Sequence, residues 1–205
     1  MRLHAPKARL FYAASSLCFG DATESPQTES TPLAPRCVYG ITKTAGVQCC
    51  RLYRQTHGLY ALSGFLYNHE SPLRPEKFVT QKIVRAAKAI ARGEQSELIL
   101  GDLSARIDWG WAPDYADAMT RTLRLPEARD FVIATGETHS VRDFVEIAFT
   151  RVGLDWQNYV KENTVLLQRR NAPLVGDASL LRQLTGWKPM VTFPEMIDLL
   201  LQNAP

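Results

Sequence analysis

Apolar residues recur along this chain in two rhythms that alternate. Nearly unbroken apolar runs at residues 9–15 and 59–67 predict buried strands of the kind a parallel sheet covers on both faces. Between them, residues 38–57 carry helical spacing, and Gly58 supplies the stop. Helical spacing returns at residues 78–92, with Ile83, Ala86, Ala87 and Ile90 on one stripe ahead of Gly93. A short strand is expected at 96–100. A helix then runs from Trp111 or Pro113 to Leu125, its proline at an early position where a missing N–H costs nothing. Residues 131–134 predict a strand ending at a Gly136 turn. Ser140, with Asp143 three residues on, marks the next helix start, and Thr192 with Glu195 marks the last. A further strand is expected at 163–168 and a short helix from Gly176 to Leu184. Residues 20–36 and 68–77 show no period and predict loops. Strand and helix in alternation imply an α/β fold with a mainly parallel sheet.

Composition narrows the function classes. With 205 residues, 45% of them hydrophobic and 22% charged, the chain can bury a core without disulfide or metal staples. The net charge of +3 suits a small anionic substrate, and the absence of a dense Lys/Arg run argues against a nucleic-acid partner. Cys18, Cys37, Cys49 and Cys50 form no Cys-x-x-Cys pair and have no paired histidine spacing, so no zinc site is expected, and the adjacent Cys49 and Cys50 are expected to pack as small buried hydrophobes rather than to act as a redox couple. No metal is expected. No run reaches the ~18 apolar residues of a membrane span, and no long apolar stretch follows the N-terminal basic residues. A reducing cytoplasm is therefore the expected compartment.

Tyr39 and Lys43 stand four residues apart on the first long helix, so both project from one face. A nearby ammonium favours a phenolate, and such a pair can move a proton on or off a hydroxyl while a hydride leaves the same carbon. The spacing alone is weak. It gains weight from Ser15-Ser16, which follow the first strand at the edge of the sheet where α/β proteins bind ligands.

Longer runs carry a family resemblance. Phe11-Tyr12-Ala13-Ala14-Ser15-Ser16, Pro26-Gln27-Thr28-Glu29 and Tyr39-Gly40-Ile41-Thr42-Lys43 are similar to the second half of the extended short-chain dehydrogenase core. Asn68-His69-Glu70-Ser71-Pro72-Leu73-Arg74-Pro75, with Phe78-Val79-Thr80-Gln81-Lys82-Ile83 behind it, resembles the signature of the GDP-mannose 4,6-dehydratase family. So do Gly101-Asp102-Leu103, Arg106-Ile107-Asp108-Trp109-Gly110, Asp114-Tyr115, the stretch from Phe131 to Arg142, Gly176-Asp177 and Gly186-Trp187-Lys188-Pro189. The resemblance runs in family order over about residues 8 to 200.

That resemblance implies a Rossmann-type sheet and a smaller nucleotide-sugar region, divided as 1–67 and 68–205 with some later segments returning to the sheet. It implies an NADP-dependent conversion of GDP-mannose to a 4-keto-6-deoxy sugar nucleotide, a hydride passing from C4 to the cofactor and back to C6. Tyr39 would be the acid/base at the C4 hydroxyl, Lys43 would hold the nicotinamide ribose and favour the phenolate, and Ser16 would bind the reacting oxygen. Asn68, His69 and Arg74 would line cofactor and substrate. Thr80, Lys82 and Arg106 would face the nucleotide diphosphate, a role suited to a fork of donors. Arg169 or Arg170 would approach the same phosphates. Family members are homo-oligomers, so a homo-oligomer is the expectation here.

Two departures qualify these expectations. No Gly-x-Gly-x-x-Gly turn follows an early strand, so the sequence is expected to hold the later part of a cofactor domain and, alone, to bind NADP weakly. Leu17 stands where the resemblance places a glutamate that takes the C5 proton, and leucine accepts none. An epimerase or reductase of the same fold tolerates Leu17, and a non-catalytic nucleotide-sugar binder tolerates both departures.

Overall fold

The computed structural model describes residues 3–163 and 174–203. In chain order the strands and helices are β1 (Leu10–Ser15), α1 (Val38–His57), β2 (Ala61–Leu66), β3 (Asn68–Glu70), α2 (Val79–Ala91), β4 (Leu98–Leu100), β5 (Arg106–Ile107), β6 (Trp109–Trp111), α3 (Ala112–Thr122), β7 (Phe131–Ile133), β8 (His139–Ser140), α4 (Val141–Arg151), β9 (Val160–Glu162), α5 (Ser179–Thr185) and α6 (Phe193–Asn203).

The central sheet has the order β1-β2-β7, all parallel. β2 is buried at every position, as its unbroken apolar run predicts. One face of the sheet packs on α1 through Ala14, Phe65 and Val132 against Phe19 and Val47. The other face carries Leu66, Phe131 and Ile133, covered by Tyr115 and Ala118 of α3, Leu181 of α5, and Trp187. A third apolar cluster lies under α2, α4 and α6, where Ile83, Ala87, Phe144, Phe149, Ile197 and Leu200 meet Trp109. Each fully buried aromatic or branched side chain contributes about 1.5–3 kcal/mol, so these three clusters hold the layers together.

Local signals set the element ends. α1 stops at Gly58, whose φ of 61° is the left-handed conformation glycine adopts without strain. α4 starts in a capping box: Asp143 N donates to Ser140 Oγ at 3.0 Å and Ser140 N to Asp143 Oδ2 at 2.8 Å. Glu195 reaches back to Thr192 N at 2.8 Å ahead of α6.

The structure departs from the sequence reading at residues 68–77 and at a cysteine, and adds strand pairings which that reading did not give. Residues 68–77 are not loop throughout, because β3 pairs in parallel with β6. The strand at 96–100 does not join the central sheet; β4 pairs with β9, which lies just before the expected strand at 163–168. Apart from Asn163, that expected strand lies outside the described residues. β5 and β8 form a short antiparallel pair that no local period announces. All four cysteines are free; Cys50 is buried as expected, but Cys49 is exposed. No helix among the described residues is long and apolar enough to cross a membrane. No group of three or more metal-ligating side chains occurs among them.

Candidate functional site

A cleft of about 1300 Å³ opens at the C-terminal ends of β1 and β2. The parallel register makes this position inevitable: Ser15 lies opposite Leu66, and the chain leaves the sheet at Ser16 and at Tyr67. Both exits are on the cleft wall. The two serines then take different parts. Ser15 Oγ accepts from Leu17 N at 3.2 Å and caps the short 3-10 turn at Ser16–Cys18. Ser16 Oγ makes no hydrogen bond to the described residues and lines the cleft, so it is the hydroxyl available to a ligand.

Tyr39 and Lys43 rise from the first turns of α1 into the same cleft. Cys37 caps this helix, its Sγ accepting from Gly40 N at 3.3 Å, which fixes where the first turn begins. Tyr39 is half-exposed. Lys43 Nζ donates to Ala13 O at 2.8 Å and lies 5.4 Å from the Tyr12 ring centre and 5.5 Å from that of Tyr39. The ammonium is thus held between two aromatic rings and a strand carbonyl, an arrangement that orients it while leaving its charge at the cleft.

The opposite wall comes from residues 68–78. Asn68 begins β3 and is exposed to the cleft. His69 follows it, with Nδ1 at 2.8 Å from Tyr67 O and the ring stacked on Tyr115 at 4.9 Å. Burial, and then the Arg74 charge, hold the His69 imidazole below its ordinary pKa against the pull of the Tyr67 carbonyl. Arg74 reaches the cleft as a bound group: Nη1 donates to His69 O at 2.8 Å, Nε lies 3.2 Å from Glu70 Oε2, and the guanidinium stacks 3.8 Å over Phe78. Arg106 lines the cleft from β5 and is steadied by Thr138, with Nε donating to Oγ1 at 3.1 Å.

Two expected phosphate contacts do not reach the cleft. Thr80 is fully buried, and its hydroxyl donates to Glu70 Oε2 at 2.6 Å. Its place is to complete the shell of a buried carboxylate, not to meet an anion. Lys82 projects from the outer side of α2, where Nζ donates to Ile99 O at 2.6 Å. Arg169 and Arg170 lie outside the described residues.

The structure adds Lys77, Ser104 and Asp102 to the cleft wall. Lys77 sits in the 68–77 stretch without a periodic signal, so its direction was not legible. Asp102 Oδ1 accepts from Ser104 N at 2.8 Å and from Ser104 Oγ, and these bonds hold its carboxyl below the usual carboxylate range. Among the described residues the cleft is lined by the cations Lys43, Arg74, Lys77 and Arg106 and by the carboxylate of Asp102; even with Arg74 paired to Glu70, the balance favours a ligand rich in negative charge. Beneath it, buried Asp108 accepts from Thr135 N at 3.0 Å, Thr135 Oγ1 at 2.6 Å and Gly136 N at 3.1 Å, joining β6 to the turn after β7.

Comparison with known proteins bears on this arrangement. The family model described as GDP-mannose 4,6 dehydratase matches residues 1–200. GDP-mannose 4,6 dehydratase 1 of Arabidopsis thaliana is 41% identical over 196 residues, covering 95% of this chain and 54% of the plant protein. The Homo sapiens GDP-mannose 4,6 dehydratase is 38% identical, covering 92% of this chain and 56% of its own length. The chain thus spans about half the length of the curated relatives it matches. Among solved structures, RMD from Pseudomonas aeruginosa complexed with NADPH superposes with a TM-score of 0.88 at 23% identity, over 94% of this chain and 65% of that one. A dTDP-glucose 4,6-dehydratase from Bacillus anthracis in complex with NAD gives 0.85 at 19% identity, over 97% and 62%. At such identities the likeness concerns the fold.

Proposed function

The chain belongs to the GDP-mannose 4,6-dehydratase family, and on that premise we propose that its cleft binds GDP-mannose beside NADP and converts the sugar to its 4-keto-6-deoxy form with loss of water. The observation that carries this reading is the convergence of Ser16, Tyr39 and Lys43 on one cleft at the C-terminal edge of a parallel sheet. The residues present fit the cofactor's nicotinamide end: Lys43 offers a fixed ammonium to a ribose, and the surplus of cations suits phosphate oxygens. NADP, when bound, supplies the acceptor for the C4 hydride and its return to C6.

The chain's own residues do the rest. Ser16 donates its free hydroxyl to the C4 oxygen and sets the sugar's position. Tyr39 accepts the proton from the C4 hydroxyl as the hydride leaves. Lys43 holds its charge beside the phenol, so the negative oxygen forms against a prepositioned cation rather than against water. Lys77 and Arg106 face the diphosphate in this reading, and Arg74 is too firmly tied to Glu70 to be a mobile anion ligand. The free cysteines are in keeping with a reducing cytoplasm, and a nucleotide sugar, not nucleic acid or membrane, is the partner we assign. Assembly into a homo-oligomer is part of the same proposal.

A second reading has a specific observation behind it. Leu17 lines the cleft where the water-eliminating step calls for a proton acceptor, and a sugar-nucleotide epimerase or reductase needs none there. Incubation with GDP-mannose and NADP followed by mass analysis separates the two, since only dehydration lowers the product by one water. Tyr39→Phe is expected to cut turnover by about 10² to 10⁴ under either reading. An unchanged rate in that variant removes Tyr39 from the chemistry.

A further inference from the structure

The elimination proposed above removes a proton from carbon, and that needs a lone pair that Leu17 lacks. We infer that His69 Nε2 provides it. The inference rests on the proposed reaction and on the way the imidazole is held. Nδ1 lies 2.8 Å from Tyr67 O, a carbonyl that can only accept, so the ring proton belongs on Nδ1 and the Nε2 lone pair is free. Nε2 makes no hydrogen bond to any described residue. The residue lines the cleft shared with Ser16 and Tyr39.

The groups packed around the ring favour the neutral form. Arg74 adds positive charge from the same loop, Tyr115 covers one face of the ring, and Glu70, the carboxylate next in the chain, is turned toward Thr80 and Arg74. Burial and the Arg74 charge both disfavour the imidazolium, against the pull of the Tyr67 carbonyl, so the ring is held toward its neutral form. The remaining candidates are committed elsewhere. Asp102 Oδ1 is already occupied by the Ser104 N–H and hydroxyl. Glu70 is buried beneath the wall. Tyr39 already serves the C4 oxygen.

The step balances on the sugar alone. Once C4 is a carbonyl, the C5–H bond breaks and its proton goes to Nε2. The electron pair forms the C5–C6 double bond as the C6–O bond breaks. The imidazolium then gives its proton to the departing hydroxide, water leaves, and His69 is neutral again.

Three measurements decide this. Nitrogen-15 NMR of the full chain at neutral pH should show His69 protonated on Nδ1 and bare on Nε2; a proton on Nε2 overturns the inference. Carbethoxylation by diethyl pyrocarbonate, read by peptide mass, should label His69 and be suppressed by GDP-mannose with NADP; labelling that the ligands do not suppress overturns it too. His69→Asn keeps a donor toward Tyr67 O and lacks Nε2. Measured against its own rate of C4 oxidation in single turnover, it should form dehydrated product about 10² to 10⁴ times more slowly. Parent-like dehydration by His69→Asn sinks the assignment, and so does a variant that loses C4 oxidation equally. A parent chain that oxidises C4 without losing water counts against dehydration itself, while the NMR and labelling results still judge whether His69 offers its lone pair.

Discussion

Asp130→Ala would remove the carboxylate that fastens α1, with its Tyr39 and Lys43, to the central sheet. Oδ2 accepts from Arg51 Nε at 2.7 Å, while Oδ1 accepts from Arg54 Nη1 at 3.3 Å and from Ser63 N at 3.2 Å. The carboxylate side chain is 7% exposed, whereas the two arginines are 29% and 23% exposed. Breaking a buried pair costs about 3–5 kcal/mol when the surviving charge stays buried. Here the arginines rehydrate in part, and Arg54 keeps its second bond to Ala61 O at 2.6 Å. The Ser63 N–H has no such recourse, and an orphaned buried donor costs roughly 1–3 kcal/mol. The expected loss is therefore about 2–4 kcal/mol. Asp130→Asn can keep an oxygen on Ser63 N and gives up only the charge, so about 1–2 kcal/mol is expected. Urea unfolding should report these losses as a lowered midpoint at constant slope. On heating, the alanine variant should melt roughly 5–15 °C lower. An alanine variant within ~0.5 kcal/mol of the parent, inside the range of ordinary surface changes, would refute the reasoning. So would an asparagine variant less stable than alanine, because the bond to Ser63 N could not then be what Asn preserves.

Two other outcomes follow from the geometry. Gly46→Ala places a methyl carbon 2.1 Å from the Tyr12 ring, so the ring must swing out and release one side of Lys43; steady-state assays should show folding retained and turnover reduced roughly 10–100-fold. Asp143 is held below the usual carboxylate range: burial works against its charge, but the Ser140 N–H and hydroxyl outweigh it, aided by Arg106 and His139. A lowered pKa in the fold means this stabilisation is present above the unfolded carboxylate's pKa and is lost as pH falls through the folded one. Ser140→Ala should therefore cost about 1 kcal/mol at neutral pH and progressively less in acid, and a penalty independent of pH would contradict the capping box.

Much of this layout is legible in the sequence because it is encoded locally. The span of α1 follows from its helical spacing and Gly58, and β2 from an apolar run that only two-sided burial tolerates. The capping box at Ser140 is readable for the same reason, since both partners lie within one turn. What escaped was fixed by distant partners. β5 and β8 have two residues each, too few to show a period, and exist only because they meet. Thr80 and Lys82 look alike as donors near a helix start. One points inward to Glu70, ten residues back, and the other outward to Ile99, and no local pattern distinguishes an inward face from a cleft-facing one. Lys77 reached the cleft through the same 68–77 stretch, whose course is set by Glu70 and Arg74 gripping each other beneath it.

The Tyr39–Lys43 pair shows how a weak local signal becomes specific. Four-residue spacing guarantees only a shared helix face, and most such faces meet solvent. A lysine there has a long flexible stem and a strong preference for water. In this chain the strand next door supplies what the spacing cannot. Ala13 offers its carbonyl and Tyr12, one residue earlier, offers its ring. That ring fits against α1 only because residue 46 has no side chain. The position of the ammonium therefore depends on a glycine one turn further along the helix and on a strand dipeptide some thirty residues earlier. Neither Tyr12 nor Gly46 lines the cleft, yet each helps to hold the Lys43 ammonium that does. Alterations at these two positions should consequently track each other in assays, with little added by the second once the first has freed Lys43.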